Sequence, residues 1–194
     1  MPSKEHNELA LMGLTWLANK ATLRGVRAQT EVTLADGYVA DVAAVCSLQH
    51  RFWQDYCESG KSVGEIDNYL LCVMEAKCSR GDFLATFNGS DRHANRHAPI
   101  GSLHWCIAPH GMCEAGELPE FWGLLTPRGT GLSEVRKPKL HLVSDDALHS
   151  AERALLWALQ SRRQHGQCAR CHAYSNNLLC VRCGGTGGDV EIVT

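Results

Sequence analysis

No window of this 194-residue chain approaches the ~18 consecutive apolar residues of a membrane span. The amino terminus, MPSKEHNELA, has no apolar core of the kind a secretory leader needs. The expected location is therefore the cytoplasm, with no membrane contact. The chain also lacks an excess of either charge: 19 Lys and Arg face 21 Asp and Glu, a formal net charge of -2. That excludes a polycation, so any contact with nucleic acid must come from a local basic patch. There is no internal repeat, and no low-complexity stretch beyond Gly184–Gly188.

What is present is ordinary for a globular protein, with 44% hydrophobic and 21% charged residues. The length suffices for one full domain plus a small appendage. Cysteine is the abundant exception, at ten. Cys46, Cys72, Cys78 and Cys106 lie in or beside apolar runs, where free thiols pack as small hydrophobes. Cys57 and Cys113 stand in polar stretches. The remaining four form two tight pairs near the carboxyl end: Cys168-x2-Cys171 and Cys180-x2-Cys183. Each such pair turns two thiolates toward one tetrahedral centre, and the eight residues between the pairs let the chain return. A structural Zn²⁺ held by Cys168, Cys171, Cys180 and Cys183 is expected, as in a small zinc ribbon. A redox pair and an iron–sulfur cluster are the lesser readings. The chain therefore divides into 1–163, a main domain, and 164–194, a four-cysteine zinc ribbon and tail.

In the main domain, apolar periodicity predicts a helix over ~4–20, with Ser3 as its N-cap. Gln29–Leu34 and Tyr38–Cys46 read as a hairpin around Asp36-Gly37, a two-residue type I′ turn. Residues 47–68 are polar and form an elaborated connection. Tyr69–Lys77 is nearly all apolar, which predicts a central strand buried on both faces. A helix and loop over 80–97, strands at Ser102–Ala108 and Phe121–Leu125, a weak strand at Leu140–Val143 and a helix over Asp146–Arg163 complete the order. The expectation is an α/β fold, a mixed central sheet flanked by helices.

The central strand ends unexpectedly, in Glu75-Ala76-Lys77. Side chains alternate along a strand, so Glu75 and Lys77 share a face about 6–7 Å apart. Two charges at the end of a buried strand cost desolvation unless something compensates. A structural ion pair is the plain reading. Asp41 alters it, because it is the one charge within the other apolar strand and also needs a partner. If the strands are neighbours, Asp41 and Glu75 converge as hard oxygen ligands suited to Mg²⁺ or Mn²⁺. Lys77 would then orient a water or steady charge on a phosphate.

This pattern, Asp41 … Glu75-Ala76-Lys77, resembles the PD-(D/E)XK nuclease superfamily with its restriction-endonuclease-like fold. The helix–hairpin–strand order is similar to that family's core, and Lys77-Cys78-Ser79-Arg80-Gly81-Asp82-Phe83 is similar to the KSSxxDF run of a bacterial DNA-repair branch. Ala40 replaces the proline of the family name. The resemblance covers roughly residues 4–143. It implies a metal-dependent deoxyribonuclease in which Asp41 and Glu75 hold Mg²⁺ (or Mn²⁺) and Lys77 assists the attacking water. It further implies a metal-site glutamate on the first helix, a role that falls to Glu8 in preference to Glu31. Glu31 is expected to face away from Asp41, since a two-residue turn sets Val32 opposite Asp41. DNA is the expected partner, with a homodimer and a protein partner at the ribbon as further expectations. Arg80, Arg92, Arg96, His93 and His97, and also Arg128, Arg136, Lys137, Lys139 and His141, are candidate phosphate-holding groups, or else solvated faces. His104 reads as a core histidine, and Trp16, Trp53, Trp122 and Trp157 as packing residues. The alternative of a different class is a noncatalytic nucleic-acid-binding or adaptor protein.

Overall fold

The computed structural model describes residues 3–34, 37–48, 69–87, 100–141, 143–165 and 190–191. The four paired cysteines of the tail, and with them the zinc ribbon, lie outside these residues. So do Cys57, Trp53, Arg92, His93, Arg96 and His97.

Helix α1 spans Lys4–Asn19, and the Ser3 hydroxyl accepts the His6 N–H at 3.2 Å as its N-cap. Strands β1 (Leu23–Thr33) and β2 (Val39–Leu48) form the hairpin, followed by β3 (Tyr69–Ala76), α2 (Arg80–Phe87) and β4 (Leu103–Ile107). A single 3₁₀ turn at Ala115–Glu117 precedes β5 (Trp122–Arg128) and β6 (Gly131–Arg136). Helix α3 (Asp145–His165) follows, capped by Ser144, and β7 (Val190–Glu191) closes the described chain.

The strands form one mixed sheet in the order β6-β5-β4-β3-β2-β1-β7. The β3–β4 and β4–β5 pairs are parallel and the others antiparallel. The α/β expectation holds at this level. Strand β3 is central and buried along all but its first residue, which explains its unbroken apolar run. Leu9, Leu14 and Leu17 of α1 pack on Val42, Cys72, Met74, Trp105 and Ile107, all on one sheet face. Gly13 permits that approach, since a Cβ there would lie 2.4 Å from Ile107 Cδ1. On the other face, Leu148, Ala151 and Leu155 of α3 pack on Ala43, Val45, Leu71 and Val73. Phe83 and Phe87 of α2 cover Cys106, Trp122 and Leu124 on that same second face. Among the described residues, no helix is long and apolar enough to cross a membrane.

Three sequence expectations need correction. The hairpin loop has three residues, 35–37, closed by the Leu34 N–H donating to the Tyr38 carbonyl, with Gly37 at φ 74°. The register therefore slips by one, and Val32 pairs with Ala40. Residues 140, 141 and 143 carry no strand. The sixth strand is instead Gly131–Arg136, whose exposed edge position removes the apolar signature of a core strand. Trp157 is no packing residue, being 69% exposed, whereas Trp16 stacks edge-on against Trp105 at 5.4 Å and Trp122 is buried.

Candidate active site

The hairpin breaks its own alternation beside the expected site. On β2, Val42 and Ala44 face α1, yet Ala40 lies in the α3-side core with Tyr38. On β1, Ala28 faces α1 and Val32 lies in the α3-side core. Residues of equal parity thus change faces, and the change falls at Asp41 and Glu31. Glu31 has φ 53°, a left-handed conformation that is uncommon for a residue other than glycine. The pairs Thr30–Val42 and Val32–Ala40 set Glu31 level with Asp41, in place of the expected pairing of Val32 with Asp41. Its side chain is exposed.

Strands β2 and β3 pair up to Val42–Met74 and then part. Asp41 fills the gap. Its Oδ2 accepts the Ala76 N–H at 2.8 Å, and its Oδ1 lies 2.9 Å from His6 Nε2 on α1. The face change also swings Tyr38 toward β3, where its hydroxyl donates to Glu75 Oε1. Lys77 Nζ donates to Glu75 Oε2 at 3.1 Å and lies 3.9 Å from Asp82 Oδ1. Glu75 and Lys77 share a face, as strand alternation requires, and their side chains are only 10% and 8% exposed. The backbone of Lys77 is fixed as well, its N–H donating to the Ile107 carbonyl at 2.9 Å. Ser79 caps α2 through the Asp82 N–H at 3.2 Å, which holds Asp82 at the mouth of the site.

Asp41, Glu75 and Lys77 therefore meet in one place, and His6, Tyr38 and Asp82 join them. Glu8 does not. Two residues along α1 from His6 it has turned to the opposite side of the helix, 59% exposed and 3.7 Å from Lys4. The helical residue at the site is His6, because helix pitch aims it at Asp41. A signal for His6 existed in the Ser3 cap, which fixes where the helix begins and hence which residues face the sheet.

The electrostatics of the site are unbalanced. Three carboxylates, Asp41, Glu75 and Asp82, surround one ammonium. Burial, and then the neighbouring Asp41 carboxylate, push the Glu75 carboxyl up to about 7, against the opposing pull of Lys77 and Tyr38. Burial works against the Lys77 charge, yet Glu75, Asp82 and Asp41 more than offset it and hold its pKa above the ordinary lysine value. The Lys77 shift requires an ionised Glu75, while the Glu75 shift favours its protonated form. The crowding of carboxylates is the firmer direction, because desolvation and Asp41 act on Glu75 together.

A divalent cation fits such a place. Mg²⁺ is commonly held by one or two carboxylates, with waters and substrate oxygens completing its shell. Asp41 and Glu75 supply that pair, and a cation there would relieve the repulsion that raises Glu75. No larger cage exists: among the described residues, no group of three or more His, Cys, Asp or Glu side chains is gathered to hold a metal ion.

Other expected groups have different tasks. Arg136 is spent on carbonyl oxygens, including that of Trp122 at 2.7 Å from its Nε. Arg80 pairs with Glu117 and Lys139 with Glu120. His104 is buried, accepts the Gly101 N–H at 3.1 Å, and is pushed down to about 3 by burial and His141, so it is a neutral core residue as expected.

No family model matches this chain, and no curated protein does. A solved structure described as SPO1766 protein of unknown function from Silicibacter pomeroyi is similar over 84% of this chain and 92% of its own, with a TM-score of 0.56 at 17% identity. That likeness concerns the fold alone.

Proposed function

We propose that this protein is a metal-dependent deoxyribonuclease with a restriction-endonuclease-like fold, hydrolysing phosphodiester bonds. The observation that carries the reading is the meeting of half-buried Asp41 with buried Glu75 and Lys77 at the parted ends of β2 and β3, short of positive charge. Asp41 and Glu75 would hold Mg²⁺ or Mn²⁺, which supplies Lewis acidity at a phosphate oxygen. Tyr38 and the Ala76 amide fix the two carboxylates before substrate arrives, so no reorganisation is needed. Lys77, held beside Glu75, orients the attacking water and steadies charge developing on the phosphate. His6 anchors the far side of Asp41. Glu8 is left out of this mechanism. Cys168, Cys171, Cys180 and Cys183 would hold a structural Zn²⁺, closed to chemistry by its four thiolates.

One observation favours a second reading. All four oxygens of Asp41 and Glu75 already have protein partners. A noncatalytic nucleic-acid-binding or adaptor protein would need nothing more from them than to hold the parted strands together. Mn²⁺ binding followed by calorimetry separates the two. A nuclease site binds the ion and loses it in Asp41→Ala. A binding module keeps its DNA affinity with no ion bound at Asp41.

A further inference from the structure

Helix α3 carries an apolar pair that its packing on the sheet does not use. Leu148, Ala151 and Leu155 pack on the sheet, whereas the neighbouring Leu156 and Trp157 are 47% and 69% exposed. A lone exposed leucine needs no explanation, but a tryptophan beside it leaves a large apolar area in water.

The path of the chain bears on what covers this face. Helix α3 runs to His165, and β7 then pairs with Arg27 and Ala28 of β1, a strand that α3 itself packs against through Val32. Residues 166–189, outside the described residues, are therefore tethered at both ends beside α3. Cys168 follows His165 by three residues, a reach of at most about 11 Å. Trp157 precedes His165 by eight residues, about 12 Å along the helix. A zinc held by Cys168, Cys171, Cys180 and Cys183 is thus kept to the same end of α3 as Leu156 and Trp157.

The segment has apolar residues of its own to place. Tyr174, Leu178, Leu179 and Val181 lie among the paired cysteines. A unit this small has too little interior to bury them and depends on a metal and a neighbour. Its charged residues are Arg170, Arg182 and Asp189 alone, so Leu178 and Leu179 stand clear of any charge run.

We propose that Leu156 and Trp157 are the seat of the zinc ribbon, which docks there by its apolar residues. Zinc occupancy is then coupled to the outer face of α3. The inference rests on the zinc reading of the four cysteines.

The test uses full-length protein labelled with 5-fluorotryptophan and followed by fluorine NMR, in reductant throughout. Trp157→Phe identifies the Trp157 line. With zinc bound, the expected Trp157 line is hardly broadened by a soluble gadolinium chelate, like that of buried Trp105. Removing the zinc by chelation and dialysis should open Trp157 to broadening and leave Trp105 unchanged. Leu156→Asp, at an exposed position that leaves the core alone, should weaken zinc binding by about 10- to 100-fold, the scale of one buried large apolar side chain. A Trp157 line that broadens equally with and without zinc, or Leu156→Asp protein that holds zinc like wild type, overturns the seat. So does shielding that grows with protein concentration, which assigns the face to a second copy. Elemental analysis keeps the two readings apart. One zinc per chain with Trp157 open to the probe retains the ribbon and loses the seat, and a chain without zinc loses both.

Discussion

Glu75 should make the metal-free protein less stable as pH rises, and the size of the effect follows from its surroundings. Its carboxyl sits at about 7 in the fold against an ordinary 4.5. Between those values the unfolded chain has released the proton and the folded chain keeps it. Stability then falls with rising pH, because the folded state binds more protons. At 1.36 kcal/mol per pH unit, the gap amounts to about 3 kcal/mol. The side chain is 10% exposed, so solvent screens little of it. The comparison is Glu75→Gln, which keeps the shape and cannot titrate. Its absolute stability also depends on which of Tyr38 and Lys77 it still engages, so the quantity read is the change of the difference with pH. Urea unfolding followed by tryptophan fluorescence in EDTA should show wild type losing about 3 kcal/mol relative to Glu75→Gln from pH 5 to pH 8. At about 2–4 °C per kcal/mol for a chain of this size, the difference in melting temperature should change by roughly 6–12 °C. Mg²⁺ should recover much of the loss at pH 8 and little at pH 5, since it binds the ionised pair. A difference that stays constant over this range would refute the charge crowding on which the site assignment depends.

Other outcomes follow from single contacts. His6→Ala removes the partner of Asp41 Oδ1 and should weaken Mn²⁺ binding by about 10- to 100-fold, as loss of an outer-shell partner does, while Glu8→Ala leaves it unchanged. Calorimetry with Mn²⁺ checks both. Gly101→Ala would place a Cβ 2.8 Å from the Leu71 carbonyl oxygen, and should cost about 1–3 kcal/mol in urea unfolding. The four tail cysteines should hold one zinc per chain by elemental analysis, and Cys171→Ser should release it.

Much of this could be read from the residues alone, and the rest was hidden for identifiable reasons. Period-two alternation sufficed to put Glu75 beside Lys77, and the unbroken apolar run sufficed to make β3 central. The register of the hairpin is not readable from the residues, because a three-residue loop and a two-residue turn both use a glycine of positive φ at position 37, and only the strand pairing, Val32 with Ala40, distinguishes them. Tyr38 is hidden for a related reason. Regular alternation would put it on the α1 side, and the left-handed Glu31 and the break at Asp41 turn it toward Glu75. The resemblance selects a residue type and so points to Glu8, whereas helix pitch selects a position and so points to His6. Strand β6 has no apolar pattern to detect, since its residues are half-buried or exposed at the sheet edge.

The measurement that bears most directly on the central claim is cleavage of labelled duplex, single-stranded, flap and junction DNA, with RNA beside them, in Mg²⁺, in Mn²⁺ and in EDTA. Wild type, Glu75→Ala and Lys77→Ala should be purified in parallel, so that any contaminating nuclease is common to all three. The account predicts metal-dependent cutting of DNA by wild type that falls by at least about 10²-fold in each variant, the scale on which a transition-state contact acts. Cutting that persists equally in both variants, or wild type that binds Mn²⁺ and DNA and leaves every substrate whole, would contradict it.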